Sequence, residues 1–457
     1  MKRQFLSVAT AAPFLLGVMC LLSLAGCGGS GSSTVTATTV NNTATLTASS
    51  GLNGLSGGIV NGLYITVTVC QHGTATCKQI DNVQVDTGSV GLRLVPAALG
   101  SVALTPILVN TSPLEECIQY RDTSYSWGPL EFADVQIAGE KALNIPVQLL
   151  GQVTAPPPSA TQPTAGGVSC LQSTPNSSLP GTPPGNEDTV ASLGSNGILG
   201  IAGVIFDCGN ATACTTVSFT SGFPYYICPN GTCQAVGVPT ADQSVNPVSQ
   251  FASDNNGVMI TLPTVASTGA VTVSGTMNFG IATRTDNALG SATIFALDAC
   301  GDFPTVTFNG ISYTDTNCTN STGGLGGFLD TGSNALFVSD ANTLKTFGIS
   351  DCASGTAGVG FYCVSGGTAT LSNINFIGFG GVGSANISLN INNATTLFST
   401  NNAVFNDLGS DSMPGGNPST DFWDLGMPFF LGRTVFVGIA GTAVPTGVNA
   451  PNGFVAF

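Results

Sequence analysis

The sequence predicts an all-β protein made of two repeated, β-rich halves. Three observations carry that prediction. First, only 7% of the 457 residues are charged. The polar remainder is mostly Thr, Ser, Asn and Gly, which suit strands and turns better than helices. Second, the tetrapeptide Asp-Thr-Gly-Ser occurs at 86–89 and again at 330–333, each time between apolar, strand-like runs. Third, each copy is followed downstream by an apolar stretch containing Leu-Gly, "NGILGIAG" at 196–203 and "FWDLGMPFFLG" at 422–432. An Asp turn with a later apolar-apolar-Gly, once per half, is an internal repeat on the scale of a domain.

Taken in order, the chain opens with a targeting segment rather than with fold. Lys2 and Arg3 precede an apolar run, Phe5 to Leu24, which leads into "LAGC" at 24–27. A basic start, an apolar middle and small residues before a cleavage point mark a signal peptide, here residues 1–26. The cysteine after Leu-Ala-Gly resembles the lipobox of bacterial lipoproteins. That resemblance implies a lipid on Cys27 as the first mature residue; an ordinary signal peptide and an unprocessed anchor are the alternatives. Gly28 after the cysteine implies the outer membrane. Residues 27–50 are Ser-, Thr- and Gly-rich and read as a flexible tether. No later apolar run is long enough to span a bilayer. The remaining length is comfortable for two cores. Lys and Arg total nine against a net charge of −15, which argues against nucleic acid as a partner, since that needs a basic stripe.

Of the 14 cysteines, Cys20 lies in the signal and Cys27 is the lipid site. An even set remains, and in an oxidising compartment it implies disulfides. Neighbour pairing gives Cys70–Cys77, Cys208–Cys214, Cys228–Cys233, Cys300–Cys318 and Cys352–Cys363, with Cys117–Cys170 left over. A zinc site is the weaker reading, because no Cys-x-x-Cys is present and His72 is the one histidine. His72 sits in "CQHGTATC", 70–77, read as the tip of a disulfide-closed hairpin. With a structural His72, Ser-His-Asp and Cys-His chemistry lack their base. Carboxylate chemistry needs no His, Lys or metal, so no metal and no cofactor are expected.

The two turns supply that chemistry. "VQVDTGSVGLRLVP", 83–96, and "GFLDTGSNALFVSD", 327–340, match position by position: apolar lead-in, Asp-Thr-Gly-Ser, apolar strand. A carboxylate between buried strands is costly unless it is partnered. N–H groups of the Gly turn and the Ser hydroxyl can partner it. "SDANTLKTFGI", 339–349, predicts one short capped helix. Asp207, beside Cys208, reads as a loop acid, and Asp424 as a structural one.

These residues resemble the pepsin-like aspartic peptidases, in which two homologous β lobes each give one Asp-Thr-Gly to a central cleft. "WGPLEFADVQIAG" (127–139) resembles the strand leaving the family's flap, and "LNIPVQLLG" (143–151) the next strand. "GTMNFG" (275–280), "DLGMPFFLGRTVFVGI" (424–439) and the final "GFVAF" resemble strands of the interlobe sheet and C-terminus. The likeness runs from about residue 60 to Phe457. It implies a catalytic pair, Asp86 and Asp330, sharing one proton and activating a water between them. It implies that Thr87 and Thr331 lock the turns together, that Gly88 and Gly332 shape them, and that Ser89 and Ser333 donate to the outer carboxylate oxygens. Tyr120, in "CIQYRDTSYSWG" (117–128), stands near where the family's flap Tyr belongs, which implies a flap over the substrate; a plain strand aromatic is the alternative. Departures are Arg93, where the family has an aromatic residue supporting the flap Tyr, a long Pro-rich loop at 155–190, and a Cys-rich insertion at 208–233. The overall pattern also resembles an uncharacterised bacterial lipoprotein family.

The expected organisation is a first lobe over 51–283 and a second over 284–457. The expected activity is an aspartic endopeptidase with a peptide or protein substrate, monomeric, and lipid-anchored through Cys27 in the bacterial cell envelope. An inactive surface lipoprotein that binds peptide or carbohydrate in the interlobe cleft is the alternative, and a structural β adhesin stands behind it.

Overall fold

Four strands, β1 (Thr43–Ser49), β2 (Gly62–Gln71), β3 (Cys77–Asp86) and β4 (Val90–Leu94), begin the fold. The computed structural model describes residues 40–55, 59–120, 124–152, 157, 186–209, 211–217, 224–315, 326–410, 422–445 and 447–457. β2 and β3 form an antiparallel hairpin closed by Cys70–Cys77. β3 buries Ile80, Val83 and Val85 and delivers Asp86 at its end. β4, "VGLRL", is buried at every position, as suits a strand covered on both faces. The strand Gly197–Ile201 explains this continuous burial. It lies between the two, parallel to β3 and antiparallel to β4.

The second half repeats the arrangement. Gly327–Asp330 ends in Asp330, and Leu336–Val338 follows the turn. Trp423–Gly426 crosses between them, parallel to the first and antiparallel to the second. The chain is therefore all-β with a duplicated plan around a central cleft, as expected. Helices are short. In Ala341–Lys345, inside the predicted 339–349, the N-cap Asp340 accepts from the Thr343 N–H at 3.0 Å.

One antiparallel sheet joins the halves. β1 pairs with β2 and with Val273–Phe279, which pairs with Gly257–Thr261. Gly257–Thr261 pairs with Thr434–Gly438, then come Phe454–Ala456 and Ile294–Ala296. This corrects the expectation of a tether over the whole of 27–50, because Thr43–Ser49 is a strand of the joining sheet. Ala44, Leu46 and Ala48 are buried while Thr45 and Thr47 face out, a period-2 pattern that the Ser- and Thr-rich composition hid. Burying Leu46 alone contributes about 2 kcal/mol. The main apolar core then runs through both halves, taking in Leu46, Val85 and Leu199 with Leu329, Leu336 and Leu425. Val40–Phe457 forms one compact unit.

The disulfides Cys70–Cys77, Cys208–Cys214, Cys228–Cys233 and Cys352–Cys363 are formed as expected. Cys117 and Cys300 are disulfide-bonded; their expected partners Cys170 and Cys318 lie outside the described residues, as do the signal segment, Cys27 and nearly all of the Pro-rich loop. Among the described residues, no helix is long and apolar enough to cross a membrane.

Candidate active site

Each Asp-Thr-Gly-Ser turn holds its own carboxylate in the same way. The Gly88 N–H donates to Asp86 Oδ1 at 2.8 Å and the Ser89 hydroxyl to Oδ2 at 2.5 Å. The Gly332 N–H donates to Asp330 Oδ1 at 2.7 Å and the Ser333 hydroxyl to Oδ2 at 2.9 Å. Each carboxylate thus receives two donors from within its own turn, which offsets part of its burial cost.

The threonines tie one turn to the other. Thr87 Oγ1 donates to the Leu329 carbonyl at 3.0 Å and accepts from the Thr331 N–H at 3.0 Å. Thr331 Oγ1 donates to the Val85 carbonyl at 2.8 Å and accepts from the Thr87 N–H at 3.1 Å. Both threonines are buried, so each bond satisfies a backbone group that water cannot reach. The glycines permit the approach. A Cβ on Gly88 would fall 2.8 Å from the Asp330 carboxyl carbon, and one on Gly332 would fall 2.8 Å from Asp86 Oδ1. The two carboxyls therefore stand side by side over the paired turns. Asp330, though partly open to the cleft, is held well above the usual carboxylate range. Burial is the main cause and the neighbouring Asp86 carboxyl the second, against the Ser333 and Gly332 donors. A carboxyl so placed keeps a proton where an ordinary aspartate has lost it.

The downstream Leu-Gly echoes now have a physical reason. In the crossing strands Gly200 lies opposite Asp86 and Gly426 opposite Asp330. A Cβ at Gly200 would sit 2.6 Å from the Val90 nitrogen, and one at Gly426 would sit 2.1 Å from the Ala335 carbonyl oxygen. Neither strand could lie beside its turn with a side chain at that position.

Tyr120 stands at the end of a hairpin formed by Ser112–Gln119 and Tyr125–Ile137. Its N–H donates to the Ser124 carbonyl at 2.8 Å, its hydroxyl meets Ser126 Oγ at 3.0 Å, and its ring packs on Val95, Leu150, Leu193 and Ile198. It lines the same cleft as both aspartates, an opening of about 1070 Å³. The hairpin has an anchor that the sequence did not reveal. Asp188, at the far end of the Pro-rich loop, accepts from the Trp127 N–H at 2.9 Å, and the Glu187 N–H donates to the Tyr125 carbonyl at 2.8 Å. Burial lifts the Asp188 carboxyl to about 6.

Arg93 is buried in the wall beside Asp86, only 1% exposed, with Nη2 4.0 Å from Glu116 Oε2. Asp207, expected to be a loop acid, belongs to this cluster instead. Its Oδ1 accepts from the Tyr225 hydroxyl at 2.7 Å and the Cys208 N–H at 3.0 Å. Burial first, and Glu116 next, hold its carboxyl well above the ordinary range. The Cys208–Cys214 disulfide beside it shows why a sequence reading misses the group: a loop closed over six residues folds back to the cleft. His72 is half-exposed at its hairpin tip and paired with Asp134 at 2.6 Å. Asp424 is buried in the second crossing strand. Among the described residues, Asp298, Cys300 and Asp315 come together, but the Cys300 sulfur is committed to a disulfide.

No curated protein matches the chain. Among solved structures it is similar to the crystal structure of aspartic proteinase from Irpex lacteus, at 13% identity and a TM-score of 0.44, over 91% of this chain and 96% of that one. A family model described as "Protein of unknown function (DUF3443)" matches residues 38–457, the whole of the two-halved unit with both aspartate turns, and the chain belongs to that family.

Proposed function

We propose that the chain is an aspartic endopeptidase that cleaves peptide bonds with a water activated between Asp86 and Asp330. One observation carries this reading: both carboxyls receive the same two donors, and the turns that hold them exchange four threonine hydrogen bonds. A cleft that only binds has no need of two matched carboxyls pressed together at a cost in charge repulsion.

In the proposed reaction the pair holds one proton. The ionised carboxylate takes a proton from the water as its oxygen attacks the scissile carbonyl carbon. The protonated partner gives its proton to the carbonyl oxygen, forming a neutral tetrahedral diol. Collapse breaks the C–N bond: one diol hydroxyl gives its proton to the ionised carboxylate while the protonated carboxyl gives its proton to the leaving nitrogen, releasing a carboxylic acid and an amine. The pair ends with one proton, as it began. The two groups titrate together, so the proton belongs to the pair, with Asp330 favoured by its raised affinity. Tyr120 would cover an extended substrate. In this reading the mature protein is monomeric, anchored by a lipid on Cys27 and working in the cell envelope.

The test is peptide cleavage by the chain lacking residues 1–27, from about pH 3 to 8. Activity abolished by Asp86→Asn, by Asp330→Asn and by a statine-type inhibitor supports the reading. Folded, disulfide-bonded protein that cleaves nothing and binds no inhibitor overturns it and leaves the cleft as a binding site.

A further inference from the structure

The wall next to Asp86 carries a group that the proposed chemistry does not use. Arg93, Tyr120 and Asp207, all from the first half, line the cleft that both aspartates line. Arg93 is 1% exposed, yet its Nε and Nη1 have no hydrogen-bond partner among the described residues. Glu116, 4.0 Å from Nη2, balances the charge without using those donors. Asp207 Oδ2 is likewise buried and receives no N–H or hydroxyl donor among the described residues, though its carboxyl meets that of Glu116. Buried donors and acceptors are nearly always satisfied, so a set left open on a cleft wall points to a ligand.

We infer that this wall is a subsite for a carboxamide side chain, Gln or Asn, on the residue flanking the scissile bond on the first-half side. This rests on the endopeptidase reading. The carboxamide oxygen would accept from Arg93, and its NH₂ would donate to the Asp207 carboxyl. Charge favours a neutral group. Asp207 is driven toward its protonated form by burial and by Glu116, so Arg93 and Glu116 already cancel. A carboxylate would add an anion beside Glu116, and an ammonium would add a cation beside Arg93. An aliphatic side chain would leave the Arg93 donors dehydrated and unpaired, and a site built to hydrogen-bond rejects such an analogue.

The test uses the full-length chain in detergent and a series of reduced-amide peptides that cannot be hydrolysed. Each flanking position is varied in turn through Gln, Asn, Leu, Met, Glu and Lys, and binding is measured by calorimetry. The cleavable peptides of the same sequences are assayed in parallel. Gln and Asn are expected to bind at least about tenfold tighter than Leu, Met, Glu or Lys, the scale of one buried unpaired group. The preference should be confined to one flanking position and should vanish in Arg93→Met. Equal binding across the series, tightest binding of Leu, Met, Glu or Lys, or no binding of any peptide overturns the subsite. If Arg93→Met does not fold, the unmodified chain's series decides alone. A carboxamide preference without cleavage keeps the subsite and removes the endopeptidase; cleavage without the preference removes only the subsite.

Discussion

The two halves present the same turn on different walls. Seven residues after Asp86 stands Arg93; seven after Asp330 stands Phe337. Arg93 joins Glu116 and Asp207 in a buried charged cluster. Phe337 is buried among Val60, Phe405, Leu408 and Phe422, with Phe328 beside it. Yet the donors on the two carboxyls and the threonine exchange are alike. The turn is therefore held by its own residues and by its twin, not by what lies beneath it. The wall is free to differ, and the difference falls on the surface a ligand would touch.

The largest break of this comparison removes what the halves share. Asp86→Asn and Asp330→Asn should each lower peptide turnover by at least about a thousandfold, equally from either half, with the melting temperature of Asp330→Asn no lower than that of the unchanged chain. Unequal losses in steady-state assays would mean that the pair does not act as a unit. Next comes the wall that differs. Phe337→Ala opens a cavity and should cost about 3–5 kcal/mol in denaturant unfolding. The threonine lock comes third. Thr87→Val or Thr331→Val leaves a carbonyl and an N–H unpaired, at about 2–3 kcal/mol each. The double variant should cost less than the sum, since both remove one network.

The smallest effect is a pH dependence with one source in each half. Burial raises Asp188 in the first half and Asp407 in the second to about 6. Below the ordinary aspartate range, folded and unfolded chains are both protonated. Between about pH 4 and 6 the unfolded chain releases these protons while the fold keeps them, so stability falls, by about 2 kcal/mol per group, and the loss is complete above about pH 6. Asp188→Asn and Asp407→Asn should each flatten part of that slope and raise the melting temperature at pH 7. A slope unchanged in both variants would remove these groups as its source.

Much of this was legible because short patterns fixed it. The Asp-Thr-Gly-Ser turns and the Leu-Gly echoes are local signals, and the fold uses each as backbone geometry requires: Gly200 and Gly426 are where a side chain would collide. Neighbour pairing found four disulfides because the cysteines close short loops. Three features were not legible. β1 alternates over seven residues, but Thr and Ala make a weak apolar face, so its composition read as linker. Asp207 and Asp188 act across chain separations of 114 and 61 residues, to Arg93 and Trp127. No local pattern encodes such a pairing. Arg93 was visible as a departure, but its partners were not.

The threonine exchange also has a consequence in time. Neither half can assemble its turn alone, because each threonine completes its hydrogen bonds on the other's strand end. The sheet that joins the halves includes Phe454–Ala456, among the last residues of the chain. A chain synthesised from its N-terminus therefore carries the first turn unlocked until residues 329–331 have been made and have met it. The two carboxyls are brought side by side only when both halves are present, so the fold itself sets the moment at which they meet.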